Sequence, residues 1–298
     1  WLSHARNSFR SLISGVSYRG SLSSGRNGLE WGLAVRHRSY DSFRNEWLRV
    51  DSAGYTQGQQ GDWLALTTRT LLGNETRSFT SEGWLISRRH FTVAGRACDL
   101  NAGIRVSYDT YCSEMLVSPR VSLRSKITRQ VSLYCAAGAY HQPPEVRELI
   151  SEDGEGGSDP KAQRSYHLTA GVHYDFMAWD RPFRFTAEAY GKLFDRLIPY
   201  KTDNVRLIYY GGNIAEGYSA GIDMRVNGEF VPGVESWFSM SLMKSEMQIP
   251  GLSTGWYPAP FDQRIHFSIF FQDYLPGHPD FRAHINVAFG TGIPTSPP

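Results

Sequence analysis

The sequence predicts an all-β chain, an antiparallel up-and-down meander with no helix, on three observations. Apolar residues recur with a period of two, turn-forming residues punctuate them, and the connections alternate between short and long. The pattern is clearest from Tyr166 to Leu193. Tyr166, Leu168, Ala170, Val172, Tyr174 and Phe176 are apolar, whereas His167, Thr169, Gly171, His173 and Asp175 are polar or small. Past Trp179-Asp180-Arg181-Pro182, the residues Phe183, Phe185, Ala187, Ala189 and Leu193 face one way, and Arg184, Thr186, Glu188, Tyr190 and Lys192 the other. Successive side chains of a strand point to opposite sides, so this is a hairpin with one greasy and one ionisable face.

The remaining elements follow in chain order. Leu12, Val16 and Tyr18 share a phase, and after Ser23-Ser24-Gly25-Arg26-Asn27-Gly28 the residues Leu29, Trp31, Leu33 and Val35 alternate with Glu30, Gly32, Ala34 and Arg36. From Asp41 to about Phe79 the alternation dissolves into a polar, Gly- and Gln-rich segment, read as a large loop with a short ribbon at Trp63 to Thr70. Thr80 to Val93 reads as a strand whose Trp84, Ile86 and Phe91 do not keep one phase. Three more strands follow on Leu100 to Tyr108, Met115 to Leu123 and Val131 to Ala137. A loop from His141 to Arg164 leads into the hairpin just described, and Asp195 to Gly217 is another excursion. Strands resume on Tyr218 to Val226, Phe238 to Leu242, Ile265 to Phe271 and Phe281 to Phe289.

Composition narrows the class. Lys+Arg 31 against Asp+Glu 29 gives no electrostatic reason for binding nucleic acid. A mean hydropathy of -0.39, with no run of 18 or more apolar residues, excludes a transmembrane helix. It leaves a membrane barrel open, because alternating strands average to polar. Cys98, Cys112 and Cys135 are an odd number without metal spacing, so neither a disulfide framework nor a metal site is expected. No signal segment precedes Trp1, and the chain is read as a piece of something longer.

The short connections at 23–28, 127–130, 178–182, 231–235 and 275–280 alternate with long ones near 41–79, 141–165, 195–217 and 248–262. Short turns at one end and long loops at the other characterise outer-membrane barrels, with the long loops extracellular. Phe176, Trp179, Phe183, Phe185, Phe230, Trp237, Tyr274 and Phe281 gather at the short-turn end, where an interface girdle would lie. Arg105, Arg120, Arg124, Glu188, Lys192, Asp223, Arg225, Arg264, Arg282 and His284 then face the lumen, since a charge toward lipid costs several kcal/mol. The expected fold is a transmembrane antiparallel β-barrel segment over residues 1–298, about twelve strands of a larger wall, because an open strand edge cannot face lipid.

A family resemblance fits this pattern. Leu100-Asn101-Ala102-Gly103-Ile104-Arg105, Ser118-Pro119-Arg120-Val121-Ser122-Leu123, Ala139-Tyr140-His141-Gln142-Pro143-Pro144, Arg181-Pro182-Phe183-Arg184-Phe185-Thr186-Ala187-Glu188-Ala189-Tyr190, Tyr218-Ser219-Ala220-Gly221-Ile222-Asp223 and Phe271-Gln272-Asp273-Tyr274-Leu275-Pro276 resemble the barrel of TonB-dependent outer-membrane receptors, in particular those of Bacteroidetes-type bacteria. The resemblance implies a 22-stranded barrel filled by an N-terminal plug, which is not read within this chain. It further implies a bacterial outer-membrane location among lipids, TonB as energy-coupling partner, and import of a scarce nutrient such as an iron chelate, cobalamin or a glycan. A surface lipoprotein that lids the vestibule is a further expected partner, and no cofactor is expected.

Candidate substrate-binding residues are Tyr140, His141 and Gln142 at a strand end, and Tyr200, Asn204, Arg206, Tyr209, Tyr210 and Asn213 in the loop after Leu193. Aromatic, amide and guanidinium groups suit sugar stacking and anionic chelates alike, while the same tyrosines could equally serve as girdle anchors. No catalytic residues are assigned. Gly154-Glu155-Gly156-Gly157 lacks the strand and helix of a phosphate loop, and His167 and His173, about 20 Å apart on a strand, cannot share a metal. Ser165 and Asp175 share their face without a nucleophile motif. An outer-membrane lipase- or protease-type enzyme and a soluble β-rich carbohydrate-binding domain are the alternative readings; the latter requires Leu168, Val172, Ile222 and Phe267 packed together inside.

Overall fold

A computed structural model describes residues 2–49, 68–145, 148, 161–203 and 206–294. Strands β1 (Leu2–Ala5) and β2 (Ser8–Ser24) both pair with β3 (Asn27–Arg49). From there each strand pairs with the next through β4 (Thr68–Val93), β5 (Arg96–Asp109), β6 (Glu114–Lys126), β7 (Val131–Gln142), β8 (Gln163–Ala178) and β9 (Arg181–Leu197). A separate ribbon of β10 (Tyr200–Asp203) and β11 (Arg206–Tyr209) intervenes. The sheet continues through β12 (Ala215–Val231) and β13 (Val234–Gln248), takes the short β14 (Tyr257–Pro258) beside β13, and ends with β15 (Ile265–Leu275) and β16 (His278–Gly290). Setting aside β1 and β14, twelve strands form one antiparallel wall with no α-helix among the described residues, as the periodicity predicts. The wall is open: among the described residues β2 and β16 do not pair with each other.

The connections have the expected polarity with one correction. Trp179 and Asp180 both take positive φ (52° and 57°), as the favoured two-residue hairpin turns require. Ala94 and Gly95 (50° and 74°) make a like turn between β4 and β5 that the sequence reading did not single out. The described residues of the loop expected at 41–79 are strand: β3 runs on to Arg49 and β4 starts at Thr68, with Asp41↔Glu75 and Trp47↔Arg69 in register. Most of the ribbon expected at Trp63 to Thr70 lies outside the described residues. With 23 and 26 residues, β3 and β4 exceed the 9–11 that cross a bilayer by roughly a dozen, or about 40 Å. Both faces of such an extension meet water, so no apolar period marks it.

Register ties the strands' faces together. Arg124↔Tyr134, Tyr134↔Gly171, Gly171↔Glu188, Glu188↔Asp223 and Asp223↔Ser241 form one row across six strands, and directly opposite residues share a face. The rings of Tyr134 and Tyr190 lie over Gly171 and Gly221 on neighbouring strands, where a Cβ would collide with them. Two expected girdle residues change sides. Trp237 pairs with Asn227 and Phe270, and Tyr274 with Arg282, which puts both on the ionisable face. Arg225 and Arg282 sit 5.0 and 5.5 Å from their ring centres. The rings that remain outside stack in series, Phe176 on Phe183 at 5.6 Å and Phe183 against Trp179 and Phe230 at 5.7 and 4.9 Å.

Burial is inverted relative to a water-soluble domain. Thr76, Ser78, Thr80, Glu82, Asp109, Ser118, Ser219 and Ser245 are buried, while Val16 (79% exposed), Leu168 (64%) and Ile285 (63%) stand open with most of their row. The soluble reading fails here: Leu168 and Ile222 are exposed, and neither Val172 nor Phe267 is in the buried core. That core is a small cluster of Ala215, Met247, Ile249 and Ala259 at the long-loop end. Leaving one large apolar side chain in water forgoes about 1.5–3 kcal/mol. Over the whole band this reaches tens of kcal/mol, beyond the roughly 5–15 kcal/mol net stability of a domain. The face is therefore matched to hydrocarbon. Lys244 is an exception on it, opposite Ala220; its Nζ reaches 2.9 Å from Glu246 and lies 5.7 Å from the Tyr218 ring, snorkelling toward the strand ends.

The turn Thr110–Ser113 joins β5 to β6 on the long-loop side. The fully buried Asp109 carboxylate accepts bonds from Thr80 Oγ1 at 2.6 Å and the Tyr111 N–H at 2.9 Å. Beside it Cys112 is 2% exposed, and burial, with Asp109 and Glu114 adding, pushes its thiol up to about 12.

Two outcomes follow for the protein that carries this wall. Val172→Arg, at mid-height on the apolar face, should lose roughly 2–4 kcal/mol and reduce the heat-modifiable folded fraction in membranes. Thr169→Arg, on the other face, should leave that fraction near wild type. The Cys112 thiol should resist iodoacetamide at pH 8 in the folded barrel and react after denaturation. Because its folded pKa is raised, its contribution to stability is complete below about pH 8.5 and is lost as pH rises toward 12. Equal alkylation rates in both states would contradict this packing.

Candidate functional site

Side-chain chemistry collects at the long-loop end. Where β7 ends, Tyr140 turns to the ionisable face, with the Arg120 guanidinium 4.4 Å from its ring centre and the His167 ring 4.4 Å away on β8. His167 Nε2 is 2.5 Å from Ser165 Oγ. The neighbouring His141 Nδ1 lies 3.0 Å from Ser118 Oγ, and Gln142 is exposed opposite Gln163. The Ser165–His167 and Ser118–His141 contacts are the elements an enzyme reading could use. Among the described residues no carboxylate hydrogen-bonds either imidazole, whereas nucleophilic triads require such a group.

The ribbon of β10 and β11 brings a second group together. Tyr200 is opposite Tyr209, their ring centres 5.8 Å apart, and the Tyr210 N–H donates to the carbonyl of the buried Pro199 at 3.0 Å. Tyr200 and Tyr209 line a cavity of about 180 Å³ with Phe194, Met247, Phe261 and Glu246. Tyr210, 47% exposed, stands outside it. Arg206 is the first residue of β11, in register with Asp203, and Asn204 lies outside the described residues. Beside the cavity Tyr257 is pushed above the usual phenol range, by burial first and by Tyr210 second.

Asn213 is placed differently from its expected role. Its amide Nδ2 donates to the carbonyls of Lys161 and Arg196 at 2.9 and 2.8 Å, and its Oδ1 accepts from the Lys161 N–H at 3.0 Å. These bonds occupy both donors, so Asn213 ties three chain segments together and leaves little for a ligand. Glu114 completes this clasp, accepting from the Ala162 N–H at 2.9 Å and from Arg196 at 2.9 Å. Burial alone would raise the Glu114 carboxyl, but the Ala162 N–H and Arg196 together hold it below the usual range. Nothing in the sequence marks Glu114 or Arg196, because their partnership joins strands 82 positions apart.

The ionisable face below is laced with pairs. Glu82 binds both Arg36, at 2.8 Å, and Arg105, and Arg184 grips Asp175 at 2.6 and 3.2 Å. Arg120, Arg124, Glu188, Lys192, Asp223, Arg225, Arg282 and His284 share this face by register. Arg264 does not join them as a wall residue. It precedes β15, and its Nε bonds Asp262 at 2.6 Å at the loop end.

The sequence matches the family described as TonB dependent receptor-like, beta-barrel, over residues 3–292. A search of curated protein sequences finds no match. Among solved structures, the outer membrane transporter YddB from Escherichia coli aligns with TM-score 0.56 at 11% identity, covering 95% of this chain and 47% of its own. The pyoverdine outer membrane receptor FpvA from Pseudomonas aeruginosa PAO1 aligns with 0.57 at 11%, covering 92% and 40%. The ferric-catecholate import receptor Fiu from E. coli K12 aligns with 0.56 at 14%, covering 89% and 42%. At such identities the likeness is one of fold, and this chain spans less than half the length of each of them. The family match extends over nearly the whole sequence, and with the outward apolar face and paired ionisable interior it establishes that this chain belongs to the TonB-dependent receptor-like β-barrels of bacterial outer membranes.

Proposed function

We propose that this wall belongs to a receptor that imports a scarce nutrient, an iron chelate, cobalamin or a glycan, drawing energy through TonB with a plug domain in the lumen. The observation that carries this reading is the inverted wall, with apolar side chains outside and ion pairs inside, crowned at one end by ring-lined loops. Inversion suits a water-filled or plug-filled passage through lipid. In this reading the loops near 143–162, 198–214 and 249–264 face the cell exterior as a vestibule, where a surface lipoprotein could close over them. Tyr140, Tyr200, Tyr209 and Tyr210 supply stacking faces there, while His141, Gln142, Asn204 and Arg206 supply polar contacts. The siderophore receptors among the structural neighbours support an iron chelate as the first cargo to try.

Arg206→Ala with Tyr209→Ala should weaken uptake of the cognate nutrient about tenfold or more, roughly 1.4 kcal/mol, while heat-modifiable folding persists. Cells lacking TonB should take up none. Normal uptake without TonB would remove the energised-import reading, and unchanged uptake by the double variant would return those residues to a purely structural role.

A further inference from the structure

The ionisable face holds a hollow of about 570 Å³ that takes in the Arg36–Glu82–Arg105 triad and meets the vestibule only at Tyr140. Its floor is low because Gly103 and Ala136 stand on that face where longer side chains would fill it. Around it converge Arg19, Arg36, Arg105 and Arg120, with Trp84 and Tyr140 as flat walls. Glu82, 8% exposed, is the acidic residue among its lining and is already shared by Arg36 and Arg105. Four guanidinium groups against one carboxylate leave an excess of three positive charges.

Burying Glu82 requires both of its partners, since an unpaired buried carboxylate would be strongly destabilising. Each partner nevertheless commits only one Nη2 to it, and the side chains of Arg36 and Arg105 remain 44% and 42% exposed. A guanidinium carries five N–H donors in a planar fork, so each keeps donors that Glu82 does not use. Among the described residues Arg19 and Arg120 have no carboxylate partner at all. Arg120 instead lies over the Tyr140 ring, its guanidinium carbon 4.4 Å from the ring centre, a contact that holds it without neutralising it.

We propose that this hollow binds an anionic group presenting two or more carboxylate or phosphate oxygens. Like the vestibule reading it takes this face as the lumen, but it does not depend on which nutrient the vestibule accepts. The oxygens can belong to a small anion in transit or to acidic side chains of the same polypeptide lying in the lumen. Both would meet the same fork geometry, which binds such oxygens in pairs.

The test uses the full receptor in detergent at low ionic strength with citrate as probe, followed calorimetrically. Citrate should bind, more weakly as salt rises. Arg19→Gln and Arg120→Gln should each weaken binding about tenfold, with Arg184→Gln, outside the hollow, unchanged. A lumen already filled by the protein's own acids would give no citrate binding. In that case Arg120→Lys treated with a carbodiimide should yield an amide to an Asp or Glu of the same polypeptide, located by mass spectrometry. Wild-type binding and the Arg120→Lys arm do not depend on the Gln variants folding. Absence of both citrate binding and the cross-link overturns the proposal, as would citrate binding that neither Gln variant alters. Arg206 and Tyr209, varied in the uptake test, do not line this hollow, and Arg19 and Arg120, varied here, are not among the vestibule residues, so either reading can fail alone.

Discussion

A backbone amide in hydrocarbon has nothing to bond to except another backbone, and that constraint organises this molecule. An antiparallel ladder satisfies each strand through its neighbours, and its pleat then sends alternate side chains to opposite solvents. From β5 to β13 the consequence is one unbroken division. Leu100, Val121, Ala137, Leu168, Ala189, Ile222 and Leu242 lie on one side, and Arg105, Arg120, Tyr134, Glu188 and Asp223 on the other. A slip of one residue in any strand would reverse that strand's faces and put charge into lipid, so register is held by solvent as well as by hydrogen bonds.

That division is what made the fold legible. Where one face meets lipid and the other the lumen, as in β8 and β9, the period of two is plain in the residues. Where both faces meet water it vanishes: Asp41 to Arg49 carries Asp, Arg, Glu and Asn on both sides, and reads as loop although it is strand. Where the inner face is itself apolar, phase misleads in another way. Trp84 and Ile86 on β4 line the interior hollow, while Phe91 has the opposite parity, so three apolar residues of one strand look incoherent. Trp237 and Tyr274 were misplaced for a like reason, because an aromatic near a strand end fits a girdle by composition, and only pairing to Phe270 and Arg282 shows it turning inward.

Of the candidate site, the sequence shows side-chain chemistry but not which residues the fold brings together. Tyr200 and Tyr209 were predicted together and do face one cavity, since a short ribbon brings residues nine apart into register. Asn213 has the right chemistry for a ligand, yet its amide is spent holding Lys161 and Arg196. The Glu114–Arg196 clasp and the Arg36–Glu82–Arg105 triad depend on strand order, which no local motif encodes. Energetically the two differ from surface pairs worth at most about 1 kcal/mol, because Glu82 and Glu114 are largely enclosed.

The account rests on the apolar face touching lipid, and Cys135 offers a direct probe of it. This exposed thiol lies on β7 opposite Leu123 and Ala170, within the apolar row. With Cys98 and Cys112 replaced by Ser, a nitroxide on Cys135 of the receptor in liposomes can be measured for collision with oxygen and with a water-soluble nickel chelate. High oxygen and low nickel accessibility at Cys135, reversed when the label moves to Ala136→Cys on the other face, is the predicted result. High nickel accessibility at Cys135 would contradict the inside-out wall.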